Sequence, residues 1–196
     1  MTRFETVQRV VWRWWADLQE NHNRGGRAQI RRAVSAEDLL LVPQVQRLYR
    51  ELDLRGGLPT GSLESSFAQV AATATVVATV TVAVAADPPA DDAPVPGRPL
   101  AELLGPPPGE SDSTHALLKP LRFRRLLQAD DSDPMILARD LRRAVRLLKP
   151  GAGLDVGTLG ASLLAWGPKI RTRWAFDYYR GGEFSASPEP HEMERP

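Results

Sequence analysis

The residues best placed to do chemistry in this 196-residue chain are arginines. Arg139, Arg142, Arg143 and Arg146 follow Pro134, and Leu137, Leu141, Ala144, Val145 and Leu148 are interleaved with them. On a helix turning about 100° per residue, the two sets fall on opposite faces. A guanidinium fork grips phosphate oxygens bidentately, and each phosphate it neutralises releases counterions without reading sequence. Asp140 sits at the flank of the stripe and no Glu enters it, whereas a purely solubilising face interleaves both signs. A solvated surface is the plainer reading of any single stripe.

The pattern recurs. Lys169, Arg173 and Arg180 are spaced four and seven residues apart near the end of the chain. Arg24, Arg27 and Arg31 share a helical face with Arg32 beside them, and Lys119, Arg122, Arg124 and Arg125 form a fourth group. The candidate backbone-binding residues are therefore Arg27, Arg31, Arg32, Lys119, Arg122, Arg125, Arg139, Arg142, Arg143, Arg146, Lys169 and Arg173. Phe123, Tyr178 and Tyr179 are candidate stacking platforms, with core packing the better reading for Phe123 and Tyr178. Zinc-finger ligands, basic-zipper heptads and an evident helix-turn-helix are all lacking, so base-specific readout has no signature.

Other chemistries fare worse. With no Cys there is no disulfide framework, thiolate zinc site or thiol nucleophile, and His22, His115 and His191 have no partner at metal-ligand spacing. No Gly-rich loop ends in Lys-Ser/Thr, and no dinucleotide fingerprint or His-Glu-x-x-His run is found. Gly160-Ala161-Ser162 lacks the second glycine of a nucleophile elbow. Asp130-Asp131-Ser132-Asp133 could hold a divalent ion, but capping of the following helix explains it more simply. The reading is a non-enzymatic protein with no cofactor.

The elements that must carry these arginines are helical. Phe4, Val7, Val11, Trp14 and Leu18 make one apolar seam, with Trp15 flanking it and Trp12 pointing away toward a partner. Asn23-Arg24-Gly25-Gly26 breaks that helix, a short helix follows through Arg27–Val34, and Ser35 with Asp38 forms a capping box. Pro43 opens a helix with the seam Val45, Leu48, Tyr49 and Leu52, closed by Gly56-Gly57. Phe67 to Ala86 is a charge-free stretch long enough to span a bilayer. Its Ala/Val/Thr content and lack of flanking cations favour a buried central helix, while the Thr/Val alternation leaves a strand open. Further helices are expected over 117–129, after Asp133-Pro134, after Asp155 (Val156, Leu159 and Leu163 inward), and around Ile170, Trp174 and Tyr178.

The net charge of +1 conceals a segregation: residues 1–56 carry +3, 57–112 carry −6, 113–180 carry +7 and 181–196 carry −3. Eight of the 17 prolines lie in 87–112, a composition suited to an exposed linker. The expected architecture is all-α: a helical bundle over 1–86, a Pro-rich acidic linker or insertion over 87–112, a second bundle over 113–182, and a disordered tail over 183–196. The mixed-charge start does not read as a signal peptide, so a cytoplasmic protein is expected.

At this point the residues point to a family. The Arg-Phe-x-x-Leu-Leu run at 122–127, Leu-Arg-Arg-Ala-Val at 141–145, Leu-Leu-x-Trp at 163–166 and Arg-Trp-Ala-x-x-Tyr-Tyr at 173–179 resemble the small subunit of the CRISPR type I-E Cascade complex, the CasB family. Trp14 with Leu18, Arg27-Ala28 and Arg31-Arg32 extend the resemblance over most of 10–180. It implies two small helical bundles with Phe67–Ala86 as a core helix, which removes the membrane reading. It also implies a non-catalytic subunit present as a pair of copies. The implied partners are the backbone and large Cascade subunits, a second copy of itself, guide RNA and target DNA, including the displaced single strand. In such machines base pairing reads sequence, and a subunit supporting the R-loop needs only backbone electrostatics. A helical assembly adaptor, whose arginines meet acidic protein surfaces without DNA contact, is the alternative. The 87–112 stretch and the tail depart from the family pattern.

Overall fold

Thr2 starts the first helix with a full capping box: its side chain accepts from the Glu5 N–H while the Glu5 carboxylate accepts from the Thr2 N–H. The computed structural model describes residues 2–87, 97–107, 109, 115–129 and 133–180. Among these are nine α-helices: α1 (Arg3–Gln19), α2 (Arg24–Arg32), α3 (Pro43–Leu54), α4 (Leu63–Val77), α5 (Leu100–Leu104), α6 (Pro120–Leu127), α7 (Pro134–Val145), α8 (Val156–Leu164) and α9 (Pro168–Tyr179). Proline at the first turn of α3, α6, α7 and α9 fits the φ and missing donor that position tolerates.

The all-α class read from the sequence holds, and the expected seams are the buried faces. Val7, Val11, Trp14 and Leu18 of α1 are buried, as are Val45, Leu48 and Leu52 of α3 and Val156, Leu159 and Leu163 of α8. Trp14 and Trp15 bury their rings and still satisfy their indole N–H groups, which donate to the Gln44 carbonyl at 2.8 Å and the Val80 carbonyl at 3.2 Å. Trp12, expected to face a partner, is half-buried against the core. The Ser35–Asp38 box is present: Asp38 accepts from the Val34 and Ser35 N–H groups, and Ser35 accepts from the Asp38 N–H.

Three local expectations change. The first break falls at 20–23, before the Gly25-Gly26 pair, which lies inside α2. A Cβ on Gly26 would fall 2.4 Å from the end of the Gln44 side chain, which would have to swing aside. The charge-free stretch is helical only to Val77, then turns through Thr81–Val84 into a single bridge at Ala85. No helix among the described residues is long and apolar enough to cross a membrane.

The third change concerns 87–112. Within it, Leu100, Ala101, Leu103 and Leu104 of α5 are buried and pack against α9. The Pro-rich composition of the whole stretch masks a Leu-Ala-Glu-Leu-Leu segment whose four apolar side chains all turn inward. Leu154 clamps the stretch at its base: its N–H donates to the Val84 carbonyl at 2.9 Å and its carbonyl accepts from the Ala86 N–H at 2.9 Å, while the Arg98 N–H donates to the neighbouring Gly153 carbonyl at 2.8 Å. Gly97 adopts φ +119°, and a Cβ there would fall 2.8 Å from the Ala86 Cβ, so the chain leaves and re-enters the fold at one place. Residues 88–96, the Asp130-Asp131-Ser132 part of the acidic cluster and the 183–196 tail lie outside the described residues.

Helices from both sides of the Pro-rich stretch share one apolar core. α1 lies along α8, and α4 lies against both α7 and α8. The α1–α8 approach is close enough that a Cβ on Gly160 would fall 2.3 Å from Val11 Cγ1.

Candidate nucleic-acid interface

The α7 stripe forms where the sequence places it, and its apolar side is the anchor. Asp133 caps the helix, its side chain accepting from the Met135 N–H at 2.8 Å. Leu137, Leu141, Ala144 and Val145 are buried, chiefly against α4. That burial fixes the rotation of the helix and turns Arg139, Arg143 and Arg146 outward.

Arg142 behaves differently from its neighbours. It is half-buried, and its Nη1 donates to the Ala33 carbonyl at 3.3 Å while its Nη2 donates to the Arg31 carbonyl. These are carbonyls at the C-terminal end of α2, where helix carbonyls lack intrahelical partners and a cation complements the helix dipole. One guanidinium therefore joins two stripes that are more than a hundred residues apart in sequence. Its pKa is pushed down from the usual arginine value, first by burial and then by the positive charges of Arg146 and Arg31. Arg142 thus lies within reach of the charges of both Arg31 and Arg146 and brings the three into one cationic cluster, the arrangement a polyanion relieves.

The remaining candidates have more individual surroundings. Arg139 and Arg143 both reach Asp140 Oδ1, at 3.5 and 3.3 Å, so the acid expected at the flank pairs with half of the stripe. Both pairs are exposed and weak. The spacing of three between Asp140 and Arg143 already carried that signal. Arg27 donates to Gln19 Oε1 at 2.8 Å, which turns it toward α1. Arg32 is exposed on α2, and Arg122 and Arg125 are exposed on α6, which packs beside α7. Lys119 is exposed just before α6, and Lys169 is exposed on α9. Arg173 lies over the Phe4 ring at 5.8 Å and 3.8 Å from Asp177, so it is tied to α1 and to its own helix rather than to the α2–α7 cluster.

The aromatic candidates divide as the sequence suggested. Phe123 and Tyr178 stack in the core with centroids 4.1 Å apart, and the Tyr178 hydroxyl donates to the Leu118 carbonyl at 2.6 Å. Burial raises that hydroxyl to a pKa of about 12. Tyr179 is exposed and meets Tyr178 edge-on at 4.9 Å. Sequence reasoning passed over Arg171, whose guanidinium lies 6.0 Å from the Trp166 ring centroid and donates to the Ala129 carbonyl at 3.4 Å. No groups of His, Cys, Asp or Glu arranged to hold a metal occur among the described residues.

No curated protein sequence matches the chain. Among solved structures, a CRISPR-associated protein of the Cse2 family from Thermus thermophilus superposes with a TM-score of 0.57 at 24% identity, over 89% of this chain and 99% of its own. The structure of CasB from Thermus thermophilus superposes with a TM-score of 0.55 at 23% identity, over 92% of this chain and 99% of its own. At these identities the likeness is one of fold. The model of the CRISPR-associated protein Cse2 family matches residues 26–179, which include most of each arginine group. The chain is therefore a member of the CRISPR-associated Cse2 family, in agreement with the CasB resemblance carried by its arginine and aromatic motifs.

Proposed function

We propose that this Cse2-family chain is a non-catalytic small subunit of a type I-E Cascade complex, and that it holds nucleic-acid backbone without sequence preference to stabilise the R-loop. The observation that carries the reading is the joining of Arg31, Arg142 and Arg146 into one cationic cluster on α2 and α7. A cluster of this kind neutralises successive phosphates, and its side chains carry no base-reading geometry. Arg32 beside Arg31 on α2 and the exposed Arg122 and Arg125 on α6, which packs beside α7, offer further phosphate contacts, and Arg139 and Arg143 join when phosphate displaces Asp140. Guide RNA, target strand and displaced strand are all backbones it can serve, alongside the backbone and large subunits and a second copy of the chain in the cytoplasmic assembly.

The test is R-loop stability in the assembled complex carrying Arg31→Ala with Arg146→Ala, two exposed positions whose side chains contribute no described hydrogen bond. Faster R-loop collapse supports the reading, and an unchanged lifetime refutes it. The second reading is an assembly adaptor without nucleic-acid contact. It is favoured by Arg139, Arg143 and Arg173 already having carboxylate partners, and it predicts that the variant fails to enter the complex at all.

A further inference from the structure

A second surface differs from the arginine faces in both polarity and sign. A groove of about 540 Å³ runs between the 36–40 turn, α3 and the start of α4. Its floor is Tyr49 and Phe67, whose rings lie 5.9 Å apart. Leu40 and Leu63 line its mouth while exposing 46% and 69% of their surface, and Ala36 and Ala68 complete its apolar lining. A soluble surface tolerates single exposed leucines, but a contiguous apolar patch of this kind marks an interaction site.

The charges at the groove select its occupant. Its charged lining residues are Glu37 and Glu64, and no Lys or Arg lines it, in a chain with 22 arginines. Glu37 is stabilised as a carboxylate by its own backbone N–H and by Ser35, and Glu64 by its own backbone N–H and by Ser62, so both are anionic at neutral pH. Two fixed anions at an apolar mouth repel nucleic acid and anionic lipid. The segments of this chain outside the described residues do not complement it either, because 88–96, 110–114, 130–132 and 181–196 are each net acidic.

We infer that this groove docks a segment of another protein that is amphipathic and basic, with leucine-like side chains entering between Leu40 and Leu63 and Lys or Arg side chains meeting Glu37 and Glu64. An amphipathic helix laid in a groove presents anchors at i, i+3 or i+4 and i+7 and leaves its flanks free for charge pairing. The contact is independent of the nucleic-acid reading, since it uses none of the arginines of α2 or α7.

The probe is a fluorescein-labelled helical peptide of about 18 residues, roughly five turns, with Leu on one face and Lys on the other. Its controls carry Glu in place of Lys, or Ser in place of Leu. Binding to the full chain is read by fluorescence polarisation, and unfolding curves confirm that each variant is folded. The Leu/Lys peptide should bind at least about tenfold more tightly than either control, and Leu40→Ser with Leu63→Ser should weaken it by about tenfold or more. Glu37→Lys with Glu64→Lys should reverse the preference, so that the Leu/Glu peptide binds better. The inference is overturned if the peptides bind alike, if either variant leaves their ranking and affinity unchanged, or if the parent chain self-associates and Leu40→Ser with Leu63→Ser abolishes that. The last result would make the occupant a second copy.

Discussion

The guanidinium of Arg142 on α7 donates to the carbonyl of Ala33, the residue that closes α2, at 3.3 Å. The residue at the centre of the cationic cluster is thus also a cap for a helix from the other half of the sequence. Arg142→Ala should lower unfolding stability by about 1–3 kcal/mol, the usual cost of deleting a charged hydrogen-bond donor that serves one part-buried and one exposed carbonyl. Arg146→Ala, exposed on the same stripe, should stay within about 0.5 kcal/mol of the parent. Urea unfolding of the two variants checks both. A nucleic-acid defect in Arg142→Ala alone would therefore mix folding with binding, whereas one in Arg146→Ala would not.

The Leu154 clamp makes a prediction about the Pro-rich stretch. Ala86 and Gly97 lie side by side, so replacing residues 88–96 by a Gly-Gly link should leave the unfolding midpoint nearly unchanged, because closure entropy varies slowly with loop length. Leu104→Ala, inside the same stretch but buried in α5, should cost about 2–5 kcal/mol. Thermal melts of the two variants distinguish a folded α5 from a wholly exposed linker. The shortened chain also asks whether this acidic segment shields the arginines: unchanged binding of single-stranded DNA would rule that out.

Asp155 gives the fold a defined response to pH. It caps α8 by accepting from the Thr158 N–H at 2.7 Å and from the Thr158 hydroxyl. Its pKa is nevertheless raised, because burial outweighs those bonds, the Gly157 N–H and the charge of Arg173. A carboxyl with a raised folded pKa binds more protons folded than unfolded, so its contribution is present below the unfolded value and is lost as pH rises through the folded one. Asp155→Asn keeps an N-cap side chain of similar quality and removes the titration. Its stability relative to the parent should therefore climb as pH rises from about 4 toward neutrality. Urea midpoints across that range check it, and a pH-independent difference would contradict it.

What the sequence makes legible is which face of each helix is buried, since Val7, Val11, Trp14 and Leu18, or Leu137, Leu141 and Ala144, announce it by spacing. It does not say which helix covers that face. The pairing of α1 with α8 and of α4 with α7 joins segments separated by the Pro-rich stretch, and an amphipathic seam carries no address. The same limit applies to the arginines. Their stripes could be read residue by residue, but the meeting of Arg31 with Arg142 and Arg146 is a tertiary fact, as is the tie of Arg173 to Phe4. The α5 helix was hidden because composition averaged over the whole 87–112 stretch drowns a short apolar run. The acidic groove was missed because Leu40 and Leu63 belong to no long seam and meet only through folding.

The central claim is that the Arg31–Arg142–Arg146 cluster holds nucleic-acid backbone. Its most direct test is the salt dependence of affinity of the full chain for a single-stranded oligonucleotide, compared between the parent and Arg31→Ala with Arg146→Ala. Two lost phosphate contacts should weaken binding and flatten the slope of log K against log salt by roughly 1.4, at about 0.7 per contact on a single strand. Equal affinity and equal slope for the two proteins would contradict the account.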